Sequence, residues 1–136
     1  MKLNLYIMIG ILMLTGCKDS IEDIDTKSVK RWEAIIASDY DEAYSYFTPG
    51  YKKTETVESF ANKLTNAKLR VEWKAVKFVE KSCESEEICD VKLELTYKYK
   101  FPRKAMGEIE LPSVITEKWM LKDGKWSFLP KLDYGV

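Results

Sequence analysis

The sequence predicts an α+β domain in which N-terminal helices pack on a bent antiparallel sheet. Apolar residues recur with helical spacing up to about residue 66, and from residue 69 onward they alternate with polar residues as in β-strands. Turn signals at residues 102–107 and 123–124 divide this second half into strands that follow one another along the chain. Strands joined in this way pair antiparallel, and their apolar face needs a covering layer, which the helices can provide.

The first 16 residues have the pattern of an export signal. Lys2 precedes an apolar run at residues 5–14. This run suits the core of a signal peptide and is too short for a membrane span, which needs about 20 residues. It ends in Leu14-Thr15-Gly16-Cys17, which resembles the lipobox of bacterial lipoproteins. The alternative is an ordinary cleaved signal that leaves Cys17 as a free thiol.

The lipobox resemblance implies that the chain is cut before Cys17 and that acyl chains on this residue anchor it to a membrane. Two or more acyl chains hold a protein firmly on a bilayer. Lys18 follows, and in enteric-type sorting a residue other than Asp at this place implies the outer membrane, facing the periplasm. Residues 17–26 are then the lipidated cysteine and a short tether, and residues 27–136 form the domain.

Charge and composition argue against several classes of function. The chain has 22 basic and 22 acidic residues, interspersed along it, which gives no case for binding nucleic acid or an acidic substrate. It contains no histidine, the commonest general base and metal ligand. We therefore expect no metal site, no cofactor and no catalytic residues.

Helical spacing predicts three helices in the first half of the domain. Thr26 or Ser28 can cap the first helix, and Asp39 the second, which Pro49-Gly50 should stop. A third helix is predicted at residues 56–66. The first helix carries an apolar stripe of Val29, Trp32, Ile35 and Ile36.

Two strands follow, and the first changes phase. From Leu69 its odd positions are apolar, but Ala75 and Val76 are adjacent apolar residues, after which the even positions are apolar. A β-bulge accommodates such a change and bends the sheet. The second strand, at residues 90–101, alternates without an error, so one of its faces should be covered and the other exposed to water.

The third strand is predicted at residues 109–122, and Pro112 within it indicates a sheet edge or a local break. Asp123-Gly124 is a strong signal for a two-residue type I′ hairpin. That turn places Trp119 opposite Phe128, a pairing that also matches in polarity. The polarity match supports the hairpin independently of the dipeptide.

Three segments carry a further resemblance, at residues 31–35, 39–51 and 119–126. They resemble small envelope lipoproteins of the NTF2-like (SnoaL-like) superfamily, which implies a cone fold over nearly all of the mature chain. The resemblance implies little about function, because this superfold hosts isomerases, dehydratases, hydrolases and binding modules. Its enzymes usually use a pocket Asp or His dyad, and without histidine no catalytic role is carried over to this chain.

Cys83 and Cys89 flank a short acidic loop between two predicted strands, and we expect a disulfide between them. An exported domain favours disulfides, and closing this loop contributes about 2–2.5 kcal/mol to stability. A metal site is the weaker alternative, since two thiolates are short of the usual four ligands. A redox pair does not fit, because the spacing is not Cys-X-X-Cys.

Five residues form a candidate ligand pocket on the predicted inward face of the sheet: Trp73, Tyr97, Tyr99, Glu117 and Trp119. The aromatic residues are equally explained as the core of a small domain. Glu117 is the one acid on that face, and the sequence offers it no obvious basic partner. Burial without one should raise the pKa of Glu117. The alternative is that Glu117 lies at the open end of the sheet, or that a shift in register points it outward.

The sequence thus favours a non-enzymatic, lipid-anchored protein of the cell envelope that binds a small apolar ligand or a partner protein. An enzyme of the ketosteroid-isomerase or dehydratase type, using Glu117 and a tyrosine, is the alternative, and a structural accessory of an envelope complex is a third. A filled core favours the accessory. An open cavity with a buried, ionised acid favours the enzyme.

Overall fold

A computed structural model describes residues 22–131 of the chain. The predicted signal segment, Cys17, Lys18 and most of the predicted tether lie outside the described residues, as do residues 132–136. Within residues 22–131, no helix combines the length and the apolar character that crossing a bilayer requires. The predictions about export and anchoring therefore remain predictions from the sequence.

The domain has a helical layer followed by a four-stranded antiparallel sheet, which confirms the α+β class. The helices are α1 (Ile24–Ile36), α2 (Tyr40–Ser45), α3 (Pro49–Lys52) and α4 (Val57–Ala67). The strands are β1 (Val71–Cys83), β2 (Ile88–Lys100), β3 (Glu108–Lys122) and β4 (Lys125–Leu129), with a 3-10 turn at Lys104–Met106. Each strand pairs with the next, in the order β1-β2-β3-β4.

One predicted helix cap is confirmed and one is wrong. The Asp39 carboxylate accepts a hydrogen bond at the start of α2 as predicted, and the Thr56 hydroxyl, which was not predicted as a cap, does so at the start of α4. Helix α1, however, begins earlier than predicted, and Asp23 caps it instead of Thr26 or Ser28. The first residue of α1 is an isoleucine buried in the core, and packing this side chain draws the end of the predicted tether into the helix.

The prediction that Pro49-Gly50 stops the second helix is also wrong. Helix α2 already ends at Ser45, and Pro49 begins α3 with Thr48 as its cap. Proline suits the first turn of a helix, where its missing N–H costs nothing. Between the two helices the chain extends and runs parallel to β4, where Phe47 forms an isolated bridge to Phe128.

The sheet departs from regularity where the sequence changes phase. The pairing of β1 with β2 shifts between Trp73 and Ala75, which confirms the predicted bulge. A second shift lies between Phe78 and Glu80 and was not predicted. Bulges increase local twist and bend the strand that contains them, so β1 curves around the helical layer.

The predicted hairpin and strand edge are both confirmed. Asp123 and Gly124 have φ values of 51° and 73°, as a type I′ turn requires, and Trp119 pairs with Phe128. Pro112 pairs with Thr96 on one side without a break in register. On its other side it has no strand neighbour among residues 22–131, because β4 pairs only with Lys118–Lys122, the last five residues of β3. Pro112 therefore lies at a sheet edge, where its missing N–H is tolerated.

The predicted disulfide is present. Cys83 and Cys89 face each other at the ends of β1 and β2 and are bonded through their sulfur atoms. The bond closes the acidic loop between these strands.

The core lies between the helices and one face of the sheet, in two clusters that share Trp32 and Phe128. One joins α1 to the middle of the sheet and contains Ile24, Tyr46, Cys89, Val91, Leu93 and Trp119. The other lies among the helices and contains Ala34, Ile35, Ala43, Phe47 and Phe60. Aromatic rings fill most of the space at their junction.

Candidate functional site

Glu117 lies at the junction of the two core clusters and is only 5% exposed, so it faces inward as predicted. One carboxylate oxygen accepts hydrogen bonds from Arg31 Nη1 at 2.7 Å and from Trp32 Nε1 at 2.7 Å. The other accepts from Trp119 Nε1 at 3.2 Å. The expectation that Glu117 has no basic partner is therefore wrong, since Arg31 forms a buried ion pair with it.

A helical stripe could have revealed Arg31. The residues of α1 that are buried deepest against the sheet are Ile24, Ser28, Arg31 and Ile35, at spacings of four, three and four. Arginine is rarely fully buried unless it is paired, so the helical pattern favoured the neighbouring stripe through Val29 and Trp32 as the buried face.

Aromatic rings enclose the guanidinium of Arg31. Its central carbon lies 3.9 Å from the ring centre of Phe128, 5.4 Å from that of Phe47 and 5.6 Å from that of Trp32. Burial lowers the pKa of Arg31, and the charge of Glu117 acts in the opposite direction. The Nε atom of Arg31 is buried without a hydrogen-bond partner among the described residues. The guanidinium of Arg31 is therefore stabilised by the carboxylate of Glu117 and by the aromatic rings around it.

The arrangement around Glu117 links α1 to β3. Both carboxylate oxygens accept hydrogen bonds from protein donors. Glu117 lines none of three clefts found on the described part of the chain.

The other predicted pocket residues are dispersed. Trp119 contacts Glu117, and Trp73 joins the cluster through an edge contact with Trp32 at 5.8 Å between ring centres. Tyr97 and Tyr99, in contrast, pair with positions 111 and 109 of β3. These positions are at least six residues from Glu117, or roughly 20 Å at 3.3–3.4 Å per residue. The structure does not bring these tyrosines to Glu117.

Trp73 also borders an open cleft of about 410 Å³ between the start of β1 and the helices. Its other walls are mostly charged and comprise Ile36, Lys68, Glu72, Lys74 and Lys100. A cleft of this composition is well solvated and offers an apolar ligand little surface.

A second buried acid, Glu55, was missed from the sequence. Its side chain accepts hydrogen bonds from the Tyr51 hydroxyl at 2.6 Å, from Ser59 Oγ at 2.7 Å and from Lys63 Nζ at 2.8 Å. Its backbone carbonyl accepts from the Tyr44 hydroxyl at 2.6 Å. The signal for this cluster is the spacing of residues 55, 59 and 63, which share one side of α4 and the turn before it.

The hydrogen bonds to Glu55 together change its pKa more than its burial does. Burial alone would raise the pKa of Glu55, but the bonds from Lys63, Tyr51 and Ser59 together lower it to about 2. For Tyr51, burial and the hydrogen bond to Glu55 raise the pKa to about 12. Glu55 thus stays ionised and ties α2, α3 and α4 together.

We expect Glu55→Gln to lower the free energy of unfolding at pH 7 by about 1–3 kcal/mol, because charge-assisted hydrogen bonds are lost. A lowered carboxyl pKa contributes stability above the ordinary value near 4.5, and this contribution is lost as the pH falls toward 2. The difference between wild type and variant should therefore shrink between about pH 5 and pH 2, measured by urea unfolding. Glu58→Gln, at an exposed site of α4, is the control. A difference that stays constant down to pH 2 contradicts the role given to the Glu55 charge.

A third feature is an apolar cleft of about 370 Å³ on the opposite side of the sheet from Glu117. It lies where α3 folds past the edge of β4. Side chains of β3 and β4 that point away from the core form its floor. Its walls are Thr48, Pro49, Gly50, Tyr51, Thr54, Met120, Lys122, Ser127, Leu129 and Pro130. None of the predicted pocket residues lines this cleft, because all of them were predicted on the covered face of the sheet.

Comparison with known proteins identifies the fold and no family. No family model and no curated protein matches the chain. A SEC-C motif containing protein from Rhodopseudomonas palustris has a TM-score of 0.60 at 12% identity, over 80% of this chain and 77% of that one. A second, from Psychrobacter arcticus, has a TM-score of 0.56 at 15% identity, over 85% of this chain and 64% of that one.

A ketosteroid isomerase-like protein from Erwinia carotovora atroseptica has a TM-score of 0.51 at 16% identity, over 82% of this chain and 92% of that one. These likenesses concern the fold alone. Helices packed on an open, four-stranded antiparallel sheet are consistent with the NTF2-like cone that the sequence analysis predicts.

Proposed function

We propose that this chain is a non-enzymatic, lipid-anchored protein of the cell envelope that holds a small apolar ligand in the cleft beside β4. The anchor is Cys17, and its expected place is the outer membrane, facing the periplasm. The observation that carries the binding role is the cleft itself. Its volume, about 370 Å³, falls within the usual range for small-molecule sites, and its lining is largely apolar with a few polar groups at set places.

The surroundings of Glu117 support a role without catalysis. A general base must reach the proton that it removes. Here the only acid on the core face of β3 is held by Arg31 and two indole N–H groups, and packed aromatic rings surround this cluster. This favours binding at the surface of the domain over chemistry in its interior.

Native mass spectrometry of the protein purified gently from its own membrane tests the binding role, with a co-purified small molecule as the expected result. Met120→Trp fills the cleft and should abolish that ligand. Thr116→Trp is the matched control, because Thr116 lies on the same face of β3 but outside the cleft. A ligand that persists in Met120→Trp is bound elsewhere, and a wild-type protein without any ligand removes the basis for the role.

A partner protein is the second candidate ligand, and the far end of the sheet favours it. Leu69, just before β1, is 75% exposed, and Met106, Ile109 and Leu111, at or just before the start of β3, are exposed as well. Tyr97 and Tyr99 pair with two of these residues and are only partly covered. Clustered apolar side chains on a surface often mark protein contacts.

We expect Ile109→Glu to remove a cross-linked partner band that wild-type protein gives in intact cells. Val79→Glu is the control, since Val79 is similarly exposed but lies elsewhere, at the second bulge of β1. A band that is lost in both variants reflects a general defect, and a band that is kept in both rules this surface out.

A further inference from the structure

One end of the apolar cleft is cationic. Lys122 lines the cleft, and Lys125 pairs with it across the Asp123-Gly124 turn. Residues that pair directly across two strands project from the same face of the sheet, so Lys125 lies beside Lys122 next to this end of the cleft. Lys52, on α3, does not line the cleft, and its Nζ donates a hydrogen bond to the carbonyl of Ser45 at 2.8 Å.

Asp123 stands in the turn between Lys122 and Lys125 and forms no ion pair with either of them. None of the ten residues that line the cleft is acidic, and none of the three lysines forms an ion pair within residues 22–131. The chain as a whole has no net charge, so the cluster is a local feature rather than part of a generally basic surface. Like charges across a strand pair destabilise each other, and a bound anion relieves this repulsion.

The rest of the cleft is apolar. Pro49, Tyr51, Met120, Leu129 and Pro130 provide most of its surface, and Ser127, 8% exposed, adds a hydroxyl to the floor. The volume of the cleft, about 370 Å³, lies near the lower end of the range for small-molecule sites. A site of this size suits a single acyl chain of medium length better than a two-chain lipid.

We propose that the cleft binds a single-chain anionic amphiphile, with its carboxylate at Lys122 and Lys125 and its acyl chain along Met120, Tyr51 and Leu129. This inference rests on the proposed function, because it names the ligand class of that same cleft. The apolar walls account for the affinity, and the lysine pair accounts for the selection of an anion over a neutral molecule of the same length.

Two probes of equal chain length separate the two parts of this proposal. Full-chain protein in a non-ionic detergent is incubated with decanoate or with decanol, and native mass spectrometry records the bound fraction. The double substitution Lys122→Gln and Lys125→Gln should weaken decanoate binding roughly threefold to tenfold and leave decanol unchanged. The control is Lys77→Gln with Lys104→Gln, which removes the same charge at exposed sites away from the cleft.

Salt provides a second measurement on the unchanged protein. Raising the ionic strength from 20 to 300 mM should weaken decanoate binding and not decanol binding, because partly exposed ion pairs are screened. If both probes bind equally, and neither the lysine substitutions nor salt separates them, the anionic ligand class is wrong while the cleft remains a binding site. If neither probe binds, or if Met120→Trp leaves both bound, the proposed function fails as well.

Discussion

Glu117→Gln should lower the free energy of unfolding at neutral pH by about 3–5 kcal/mol. The reason is the guanidinium of Arg31, which is only 5% exposed and loses its ionised partner. The amide has only one oxygen, so it also puts an N–H donor opposite the indole N–H of Trp32 or Trp119, and the loss reports on the charge and on one indole hydrogen bond together. Urea unfolding, followed by tryptophan fluorescence, measures it.

Arg31→Met should cost a similar amount, because it leaves the carboxylate of Glu117 buried and uncompensated. The double variant Arg31→Met with Glu117→Gln should be more stable than either single variant, since no buried charge remains. The four proteins form a double-mutant cycle whose coupling energy belongs to the pair.

Glu80→Gln is the control for this cycle, because Glu80 forms an exposed ion pair with Lys92 and should change stability by less than about 1 kcal/mol. A cost for Glu117→Gln no larger than that of this control contradicts the buried pair. An acid buried without a basic partner would give the opposite result, with stability equal or higher in Glu117→Gln. The sign of the measured change therefore decides between a lone acid and a paired one.

Cys17→Ser should abolish membrane attachment completely. The hydroxyl of serine cannot form the thioether that carries the acyl chains, and each buried CH₂ contributes about 0.8 kcal/mol to membrane affinity. Fractionation of cells and labelling with radioactive palmitate measure the effect. A variant that is still processed, and stays as membrane-bound as wild type, contradicts lipidation at Cys17.

Two further variants control this experiment. Ser20→Ala changes a residue beyond the lipobox and should leave both labelling and localisation unchanged. Lys18→Asp should keep the label but move the protein to the inner membrane, if the sorting rule of enteric bacteria applies here. Label that stays with the outer membrane in Lys18→Asp removes the support for that part of the localisation.

Features set by neighbouring residues could be predicted from the sequence. The Asp123-Gly124 turn fixes its own register, and the change of phase at Ala75–Val76 requires a bulge wherever the strand is placed. The disulfide follows from two cysteines at the base of one loop. In each case the local pattern has only one or two acceptable conformations.

Features that join distant parts of the chain could not be predicted in this way. Arg31 and Glu117 are 86 residues apart, and neither pattern alone identifies the other as its partner. The cleft beside β4 has the same origin, since α3 forms one wall and the outer faces of β3 and β4 form the other. The pocket on the covered face was predicted from the alternation of inward and outward residues along the strands. This alternation shows which face a residue occupies, but not how far Tyr97 lies from Glu117.

The bridge between Phe47 and Phe128 also bears on how the chain acquires its structure. Two hydrogen bonds flank it, from Thr48 N to the carbonyl of Phe128 and from Phe128 N to the carbonyl of Tyr46. Closing the chain segment between Phe47 and Phe128 is entropically costly. This closure must occur before the packing interactions that offset its cost can form. A protein exported with its N-terminus first would therefore present the apolar faces of α1 and α2 before β4 arrives. We expect this final closure to be the slow step of folding.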